Sequence, residues 1–261
     1  MLRSHYGRES NKGILRTWRR RPEPISLRYT DLIMHTLVTA QALTIEDRVT
    51  VPASAFTHDG YRTWVKSPDY PERIRTTYVE REVLVEMSPE SAEAHSKVKA
   101  AITAALQIFV RDRDLGEVYP DGMLVTNESA GLSCEPDLTF VSWASFEEGH
   151  ARLAERVSEA DYIEIVGSPD VVVEIVSDSS VVKDTRRLRH AYARAGVHEY
   201  WLIDARADDL RFEILENTGT EFASGGDPHA PQTSAVLGGR WALTRTRNRV
   251  GRFAYRLDPT E

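Results

Sequence analysis

The stretch from residue 168 to residue 204 most constrains how this chain can fold. It contains an apolar run rich in β-branched residues, Val171–Val176, which one carboxylate interrupts, and a second apolar run, Tyr200–Ile203. A polar turn and a helical pattern separate the runs, and Gly196 stands where a left-handed residue would end the helix. Short apolar runs joined through a helix are typical of a βαβ unit, so this stretch predicts two parallel strands within a sheet.

The carboxylate that interrupts the first apolar run belongs to Glu174. Side chains alternate along a strand, so Glu174 shares one face with Val172 and Val176. An unpaired charge among valines is costly, and this group must therefore be ion-paired, hydrogen-bonded, metal-bound or placed at the exposed end of the sheet. A structural ion pair with a nearby arginine and a metal-binding or catalytic role are both open at this point.

The helical segment after Glu174 carries a basic stripe. Lys183, Arg187, His190 and Arg194 recur at steps of four, three and four residues, which places them on one helix face. Such a stripe is most often a solvated face. Lys183 lies one short turn after the carboxylate strand, so we expect its amine to reach the same site, and we expect the other three residues to contact phosphates.

Further candidate residues lie earlier in the chain. The segment Thr77–Met87 alternates like one strand and puts Glu82 and Glu86 on its polar face. His95 lies in the first turn of the helix predicted next, where a histidine is more often a capping or packing residue than a ligand. Asp137 directly precedes a short apolar strand. Two strand carboxylates and a lysine are therefore available for one site.

The remaining strands follow from turn signals. Asp121–Gly122 is a standard turn dipeptide, so the short strands on either side of it predict a hairpin. After Asp204 the chain alternates again and becomes rich in turn residues. Trp241–Leu243 and Phe253–Tyr255 are predicted to be closing strands, which gives a β-rich C-terminal part.

Charge and cysteine content exclude several classes of protein. The chain of 261 residues has 33 basic and 40 acidic side chains, a net charge of −7, so a strongly basic nucleic-acid coat is excluded although a local basic cleft is not. Its single cysteine, Cys134, excludes an intramolecular disulfide and cysteine-rich zinc modules. No apolar run reaches the roughly 18 residues of a membrane span. We expect a cytoplasmic protein without membrane association.

The first part of the chain differs in charge from the rest. Residues 1–34 hold eight basic and three acidic residues, a net of +5. A disordered leader, a nucleic-acid-binding arm and an untranslated stretch upstream of Met34 are all open. We expect residues 1–46 to form a basic, disordered extension and residues 47–261 to form one domain.

The acidic residues define a recognisable chemistry. Hard divalent cations prefer oxygen ligands and keep several waters, so Asp137 and Glu174 are candidates to hold Mg²⁺ or Mn²⁺ between them. Such a metal polarises a phosphoryl oxygen and activates water, and a lysine beside it offsets charge in the transition state. Hydrolysis of a phosphodiester needs this set and no organic cofactor. A thiol hydrolase built on Cys134 and His95 is much less well supported.

Several motifs together resemble a known family. They are Pro136-Asp137, the strand from Asp170 through Glu174 to Ser177, Lys183-Asp184, and the segment from Tyr192 to Asp204, with a weaker likeness from Val83 to His95. This pattern resembles the Uma-type restriction endonuclease family of the PD-(D/E)xK nuclease superfamily, over about residues 50–215.

The resemblance implies a fold and a set of roles. The fold is α/β, a restriction-endonuclease-like mixed sheet flanked by helices, with a Mg²⁺-dependent nuclease site. Asp137 matches the aspartate of the motif and Glu174 matches the strand carboxylate. The position two residues later is Val176, where the superfamily motif has lysine, so Lys183 is the nearest substitute in the following helix. Glu82, Glu86 or His95 would complete the site.

Two functions remain open here, beside a third interpretation as a structural or partner-binding domain. The first is an endonuclease that hydrolyses phosphodiester bonds in DNA with Mg²⁺ or Mn²⁺. The second is a catalytically degraded protein that keeps the nuclease fold and acts as a nucleic-acid-binding or regulatory module. DNA is the expected partner in both, and a homodimer is left open.

Overall fold

The computed structural model describes residues 25–28, 42–45, 49–71, 74–86, 91–156, 159–223 and 226–260, and for residues 25–28, 42–45, 155–156 and 159–161 it describes the backbone. The strands in these ranges are β1 (Ile25–Arg28), β2 (Ala42–Ile45), β3 (Val49–Pro52), β4 (Arg75–Val79), β5 (Glu82–Glu86), β6 (Gly116–Pro120), β7 (Leu124–Asn127), β8 (Leu132–Cys134), β9 (Leu138–Ser142), β10 (Ala151–Arg156), β11 (Glu159–Gly167), β12 (Val171–Ile175), β13 (Glu199–Asp204), β14 (Arg211–Asn217), β15 (Phe222–Ala223), β16 (Gln232–Thr233), β17 (Arg240–Arg247) and β18 (Phe253–Thr260).

In the described residues the helices are fewer than the strands. They are a 3₁₀ turn (Ala53–Phe56), α1 (His58–Val65), a π-helical turn (Ala92–Ser96) that runs into α2 (Lys97–Arg113), α3 (Trp143–Glu147), and a second π-helical turn (Lys183–Leu188) that runs into α4 (Arg189–Arg194). A left-handed residue ends each of the two longer segments, Asp114 after α2 and Gly196 shortly after α4.

A six-stranded sheet carries the predicted βαβ unit. Its order is β15-β14-β13-β12-β9-β6, in which β12 runs parallel to β13 and antiparallel to β9. The second π-helical turn and α4 connect the two parallel strands. The βαβ prediction is therefore confirmed, and the mixed sheet agrees with the expected fold class.

Two apolar layers cover this sheet. On one face α2 packs through Val98, Ile102 and Leu106 against Val171, Val173 and their neighbours on adjoining strands. On the other face α4 packs against Val172 and Val176. All five residues of β12 are buried, which explains why its sequence is nearly continuous in valine and isoleucine. Glu174 shares the face of Val172 and Val176, as its position in the strand predicted.

A seven-stranded sheet adjoins the first and differs from the predictions in two places. Its order is β1-β5-β4-β8-β7-β11-β10. The prediction of one strand over Thr77–Met87 is wrong, because β4 and β5 form a hairpin that turns at Glu80 and Arg81, both with positive φ. The hairpin predicted around Asp121–Gly122 is also wrong, because β6 belongs to the six-stranded sheet and β7 to the seven-stranded one.

The described part of residues 1–46 forms two strands. β1 pairs antiparallel with β5 at the edge of the seven-stranded sheet, and β2 pairs antiparallel with β3 in a separate two-stranded sheet. These two strands differ from the expectation of a disordered extension, whereas the rest of residues 1–46 lies outside the described residues. The domain boundary at residue 47 stays a prediction.

The β-rich C-terminal part is anchored through Glu199 of β13. The oxygens of this buried carboxylate accept hydrogen bonds from the backbone N–H groups of Ala235 and Val236, from the Ser234 hydroxyl and from the Trp201 indole N–H. Four donors satisfy the buried charge and fix the segment that leads into β17. The predicted closing strands are confirmed as β17 and β18, which pair antiparallel.

Candidate active site

A cavity of about 660 Å³ lies where β9 begins and β12 ends. Its acidic lining residues are Glu86, Asp121, Glu135, Asp137, Glu174, Asp178 and Asp184. Its basic lining residues are Arg75, Lys183 and Arg206, and His95 lies among them. Seven carboxylates thus face three permanently cationic side chains, so the cavity has an excess of negative charge.

Strand pairing brings Asp137 and Glu174 to the same end of the sheet. Leu138 of β9 is paired with Val173 of β12, so Asp137 and Glu174, each one residue further along, lie on neighbouring strands. The backbone N–H of Ile175 donates a hydrogen bond of 2.8 Å to Asp137 Oδ2. The two carboxylates that the sequence singled out therefore line one cavity.

Asp137 is buried and surrounded by hydrogen-bond donors. Arg75 Nη1 lies 3.1 Å and Lys99 Nζ 3.0 Å from its Oδ1, and His95 Nε2 lies 3.2 Å from its Oδ2. Together with the Ile175 N–H these contacts occupy about four lone-pair sites, which is all that a carboxylate offers. Burial acts to raise the pKa of Asp137, but the hydrogen bond and charge of His95 and the charges of Lys99 and Arg75 outweigh it, so this pKa lies well below its ordinary value.

Glu174 has a different environment. The Tyr192 hydroxyl donates a hydrogen bond of 2.7 Å to its Oε1, and the Cys134 sulfur lies 3.1 Å from the same hydroxyl. Within the described residues no ion pair joins Glu174 to a basic side chain, so the structural ion pair with an arginine is not found there. Burial and the charge of Asp184 raise the pKa of Glu174 well above its ordinary value, against the lowering effect of Lys183.

Lys183 reaches the cavity from the second π-helical turn. Its Nζ donates a hydrogen bond of 2.7 Å to Glu86 Oε2 and lies 3.4 Å from Asp184 Oδ1. Burial acts to lower the pKa of Lys183, but the charges of Asp184, Glu86 and Glu174 raise it well above its ordinary value. Burial raises the pKa of Asp184 to about 6. One ammonium group therefore serves three buried or half-buried carboxylates.

Four of the other sequence candidates lie apart from this cavity. Glu82 is buried, and the guanidinium of Arg187 pairs with it and also with Glu80 at 3.2 Å. His190 and Arg194 are exposed on α4, and neither lines the cavity. The structure thus brings together Asp137, Glu174, Lys183, Glu86 and His95. It places Glu82 and the basic stripe after Lys183 elsewhere.

Three residues of the site escaped the sequence analysis. Lys99 lies four residues after His95 on the same helix face, and that spacing is a signal that predicts a shared target. Arg75 contacts Asp137 across 62 residues of chain, for which no local signal exists. Tyr192 packs in the apolar layer with Val172 and Val176, and nothing in the pattern indicated that its hydroxyl would reach Glu174.

The donors of the cavity suit a hard divalent cation. Mg²⁺ takes one or two protein carboxylates and keeps several waters. In the part of the chain that the structure describes, no group of three or more His, Cys, Asp or Glu side chains is arranged to hold a metal ion. The lining would therefore suit a hydrated cation that contacts Asp137 and Glu174, not a closed protein cage. Burial and the charges of Asp184 and Asp137 raise the pKa of Glu174, and a cation beside these carboxylates would offset that charge.

The layered α/β core, with paired carboxylates at one end of a mixed sheet, is a restriction-endonuclease-like fold. The model of the family described as "Uma2: Putative restriction endonuclease" matches residues 63–242, more than half of the chain, and the chain belongs to this family. The resemblance that the motifs indicated is therefore confirmed.

A solved structure shares the fold. It is the crystal structure of a protein described as a putative nuclease belonging to DUF820 from Anabaena variabilis, with a TM-score of 0.50 and 17% sequence identity over 70% of this chain and 90% of that chain. The curated proteins include no match to this chain. Across the described ranges, no helix is both long and apolar enough to span a membrane.

The charge balance around Lys183 yields a prediction about stability. Replacing Lys183 with methionine leaves Asp184 and its neighbours without their buried cation, and we expect a loss of about 3–5 kcal/mol in the free energy of unfolding at pH 8. Asp184 has a pKa of about 6 in the folded state, above the value of roughly 4 in an unfolded chain. A raised carboxyl pKa favours folding at low pH and loses that effect as the pH rises through it, so the loss should be smaller at pH 5.

Urea unfolding of the metal-free protein at the two pH values measures this difference. Lys97→Met is a matched control, because Lys97 pairs with Glu93 on a partly exposed helix surface, and it should change stability by less than about 1 kcal/mol. Equal effects of the two substitutions, or a Lys183→Met effect independent of pH, would contradict the account of the site.

Proposed function

We propose that this protein is a divalent-metal-dependent endonuclease that hydrolyses phosphodiester bonds in DNA. The observation that carries the proposal is the meeting of Asp137, Glu174 and Lys183 at one acidic cavity on a nuclease-like core. Membership of a family described as restriction endonucleases supports it. A cytoplasmic location and a homodimer stay predictions.

Each side chain of the cavity has a role in this proposal. Asp137 and Glu174 would hold Mg²⁺ or Mn²⁺, and such a cation would polarise a phosphoryl oxygen and lower the pKa of bound water. Lys183 keeps its proton and offsets the negative charge that develops on the phosphate. Glu86 fixes the Lys183 amine through its hydrogen bond of 2.7 Å. His95 positions the Asp137 carboxylate, because its Nε2 lies 3.2 Å from Asp137 Oδ2.

The crowding around Asp137 favours a second candidate. All four of its lone-pair sites face donors, and two of those donors, Arg75 and Lys99, are permanent cations. A degraded nuclease-fold module would keep these cations as a fixed replacement for the metal. In that protein the carboxylates stabilise the fold, and nucleic acid is bound or regulated without being cut.

Hydrolysis assays on carboxamide variants separate the two candidates. With Mn²⁺ the purified chain should nick supercoiled DNA. Asp137→Asn or Glu174→Gln should lower the rate at least about a hundredfold, because a bound metal lowers the activation barrier by several kcal/mol. Asp178→Asn is the matched control, since Asp178 lines the same cavity but is more than half exposed, and it should retain most activity. A wild-type protein that leaves supercoiled and single-stranded DNA intact would refute the enzyme.

The contact between Arg75 and Asp137 makes a prediction about metal affinity. Because Arg75 occupies one lone-pair site of Asp137 Oδ1, Arg75→Met should tighten Mn²⁺ binding on the order of tenfold, as measured by calorimetric titration. Lys99 would stay on the same oxygen, at 3.0 Å, and both Arg75 and Lys99 also pair with Asp121.

The matched control for this prediction is Arg206→Met. Like Arg75→Met, it removes one positive charge from the cavity lining, but it leaves every hydrogen-bond donor to Asp137 in place. If both substitutions tighten Mn²⁺ binding equally, net charge alone explains the effect and competition at Asp137 is rejected.

A further inference from the structure

The hairpin formed by β17 and β18 is strongly basic. Residues 240–260 contain six arginines and one acidic residue, Asp258, which pairs with Arg256 at 2.7 Å, in a chain whose net charge is −7. Five of the six, Arg240, Arg247, Arg249, Arg252 and Arg256, are exposed. Concentrated positive charge of this kind on an acidic protein indicates a polyanionic partner.

The hairpin contacts two segments that carry cavity-lining residues, the helical segment around His95 and the loop around Arg206. The backbone N–H of Phe253 donates a hydrogen bond of 2.8 Å to Glu93 Oε2, and Lys97 Nζ donates one of 3.1 Å to the Phe253 carbonyl. Glu93 directly precedes two cavity-lining residues, Ala94 and His95. These contacts fix the start of β18 against the helix that carries His95.

The second contact is made by β17. Arg245 Nη1 donates a hydrogen bond of 2.8 Å to the Ala207 carbonyl and also contacts the Ala205 carbonyl. Between these two residues lies Arg206, which lines the cavity. Two separate sets of hydrogen bonds therefore hold the hairpin next to segments that line the candidate active site.

The hairpin presents its arginines on a rigid support. Its tip is closed by hydrogen bonds from the Gly251 N–H to the Asn248 carbonyl and from the Asn248 N–H to the Arg252 carbonyl, at 2.9 and 2.8 Å. The guanidinium groups of Arg245 and Arg247 each lie 4.5 Å from the centre of the Phe253 ring. Rigid presentation reduces the entropy that is lost when the arginines bind a ligand.

We propose that this hairpin is the surface that binds the phosphate backbone of double-stranded DNA beside the cleavage site. This inference rests on the proposed function. Seven acidic and three permanently cationic side chains line the cavity, so it offers little positive charge to a polyanion and affinity must come from outside it. Arginine suits phosphate because its planar fork donates two hydrogen bonds at once. The stripe predicted from the sequence is a weaker candidate, because Glu80 and Glu82 neutralise Arg187.

Fluorescence anisotropy with a labelled DNA duplex tests the proposal. The full chain is titrated in the presence of chelator at several salt concentrations between about 50 and 200 mM. The double variant Arg249→Ser with Arg252→Ser removes two exposed tip charges. We expect it to bind at least about tenfold more weakly, and to lower the slope of log affinity against log salt by about 2, because each phosphate contact contributes about 0.9.

The control variant is Arg111→Ser with Arg152→Ser, which removes two exposed arginines from α2 and β10. It should change affinity less than about twofold. Equal losses for the two variants would show that only net charge matters and would overturn the hairpin surface. If the wild-type chain binds anionic phospholipid vesicles and the hairpin variant binds DNA as tightly as the wild type, the proposal would be overturned in favour of a membrane-binding surface.

The outcomes also separate this inference from the proposed function. If the wild-type chain cuts DNA in Mn²⁺ and the hairpin variant binds DNA as tightly as the wild type, the hairpin inference fails and the nuclease stands. If the hairpin variant loses affinity but the wild type never cuts DNA, the hairpin inference stands and the enzyme fails. If the wild type neither binds nor cuts a duplex, both fail.

Discussion

The hydrogen bond from the Ile175 N–H to Asp137 ties the two halves of the candidate site together. It exists because β9 and β12 pair antiparallel, which places the residue before β9 opposite the end of β12. The same pairing puts Glu174 on the neighbouring strand, where an apolar face would otherwise continue. The fold therefore determines the site: a slip of one residue between these strands would turn Glu174 towards the opposite layer.

Charge balance gives this geometry its chemical meaning. Around Asp137 burial acts to raise the pKa, but the effects of His95, Lys99 and Arg75 outweigh it, so the pKa lies below its ordinary value. Around Glu174 and Asp184, burial and the charges of neighbouring carboxylates raise both acidic pKa values, against the lowering effect of Lys183. Such an imbalance is costly for folding and is typical of sites that bind a cation or perform acid–base chemistry. The basic hairpin beside the cavity supplies the positive charge that a polyanionic substrate would need outside it.

Local sequence signals predicted the centre of the fold well. Runs of β-branched residues and Gly196 defined β12, α4 and β13, because burial on both sheet faces and a left-handed helix end both leave local marks. The β4–β5 turn was missed because Glu80 and Arg81 adopt positive φ without the glycine or asparagine that usually signals it. Asp121 and Gly122 do form a bend, both with positive φ, but sequence does not specify that the flanking strands enter different sheets.

The site was predictable to a similar degree. Asp137, Glu174 and Lys183 stood out because each is a charged residue next to an apolar pattern. Arg75 and Tyr192 did not, because their contacts join residues that only the tertiary fold brings together. The sequence predicted the closing strands but not a basic surface beside the cavity, because that position follows from hydrogen bonds to Glu93 and to the carbonyl groups around Arg206.

Anomalous X-ray diffraction from crystals soaked in Mn²⁺ tests the central claim most directly. The account predicts one strong peak inside the cavity, about 2 Å from a carboxylate oxygen of Asp137 and of Glu174, with water completing the coordination. A cavity without a peak, in which Arg75 and Lys99 both remain on Asp137, would contradict it.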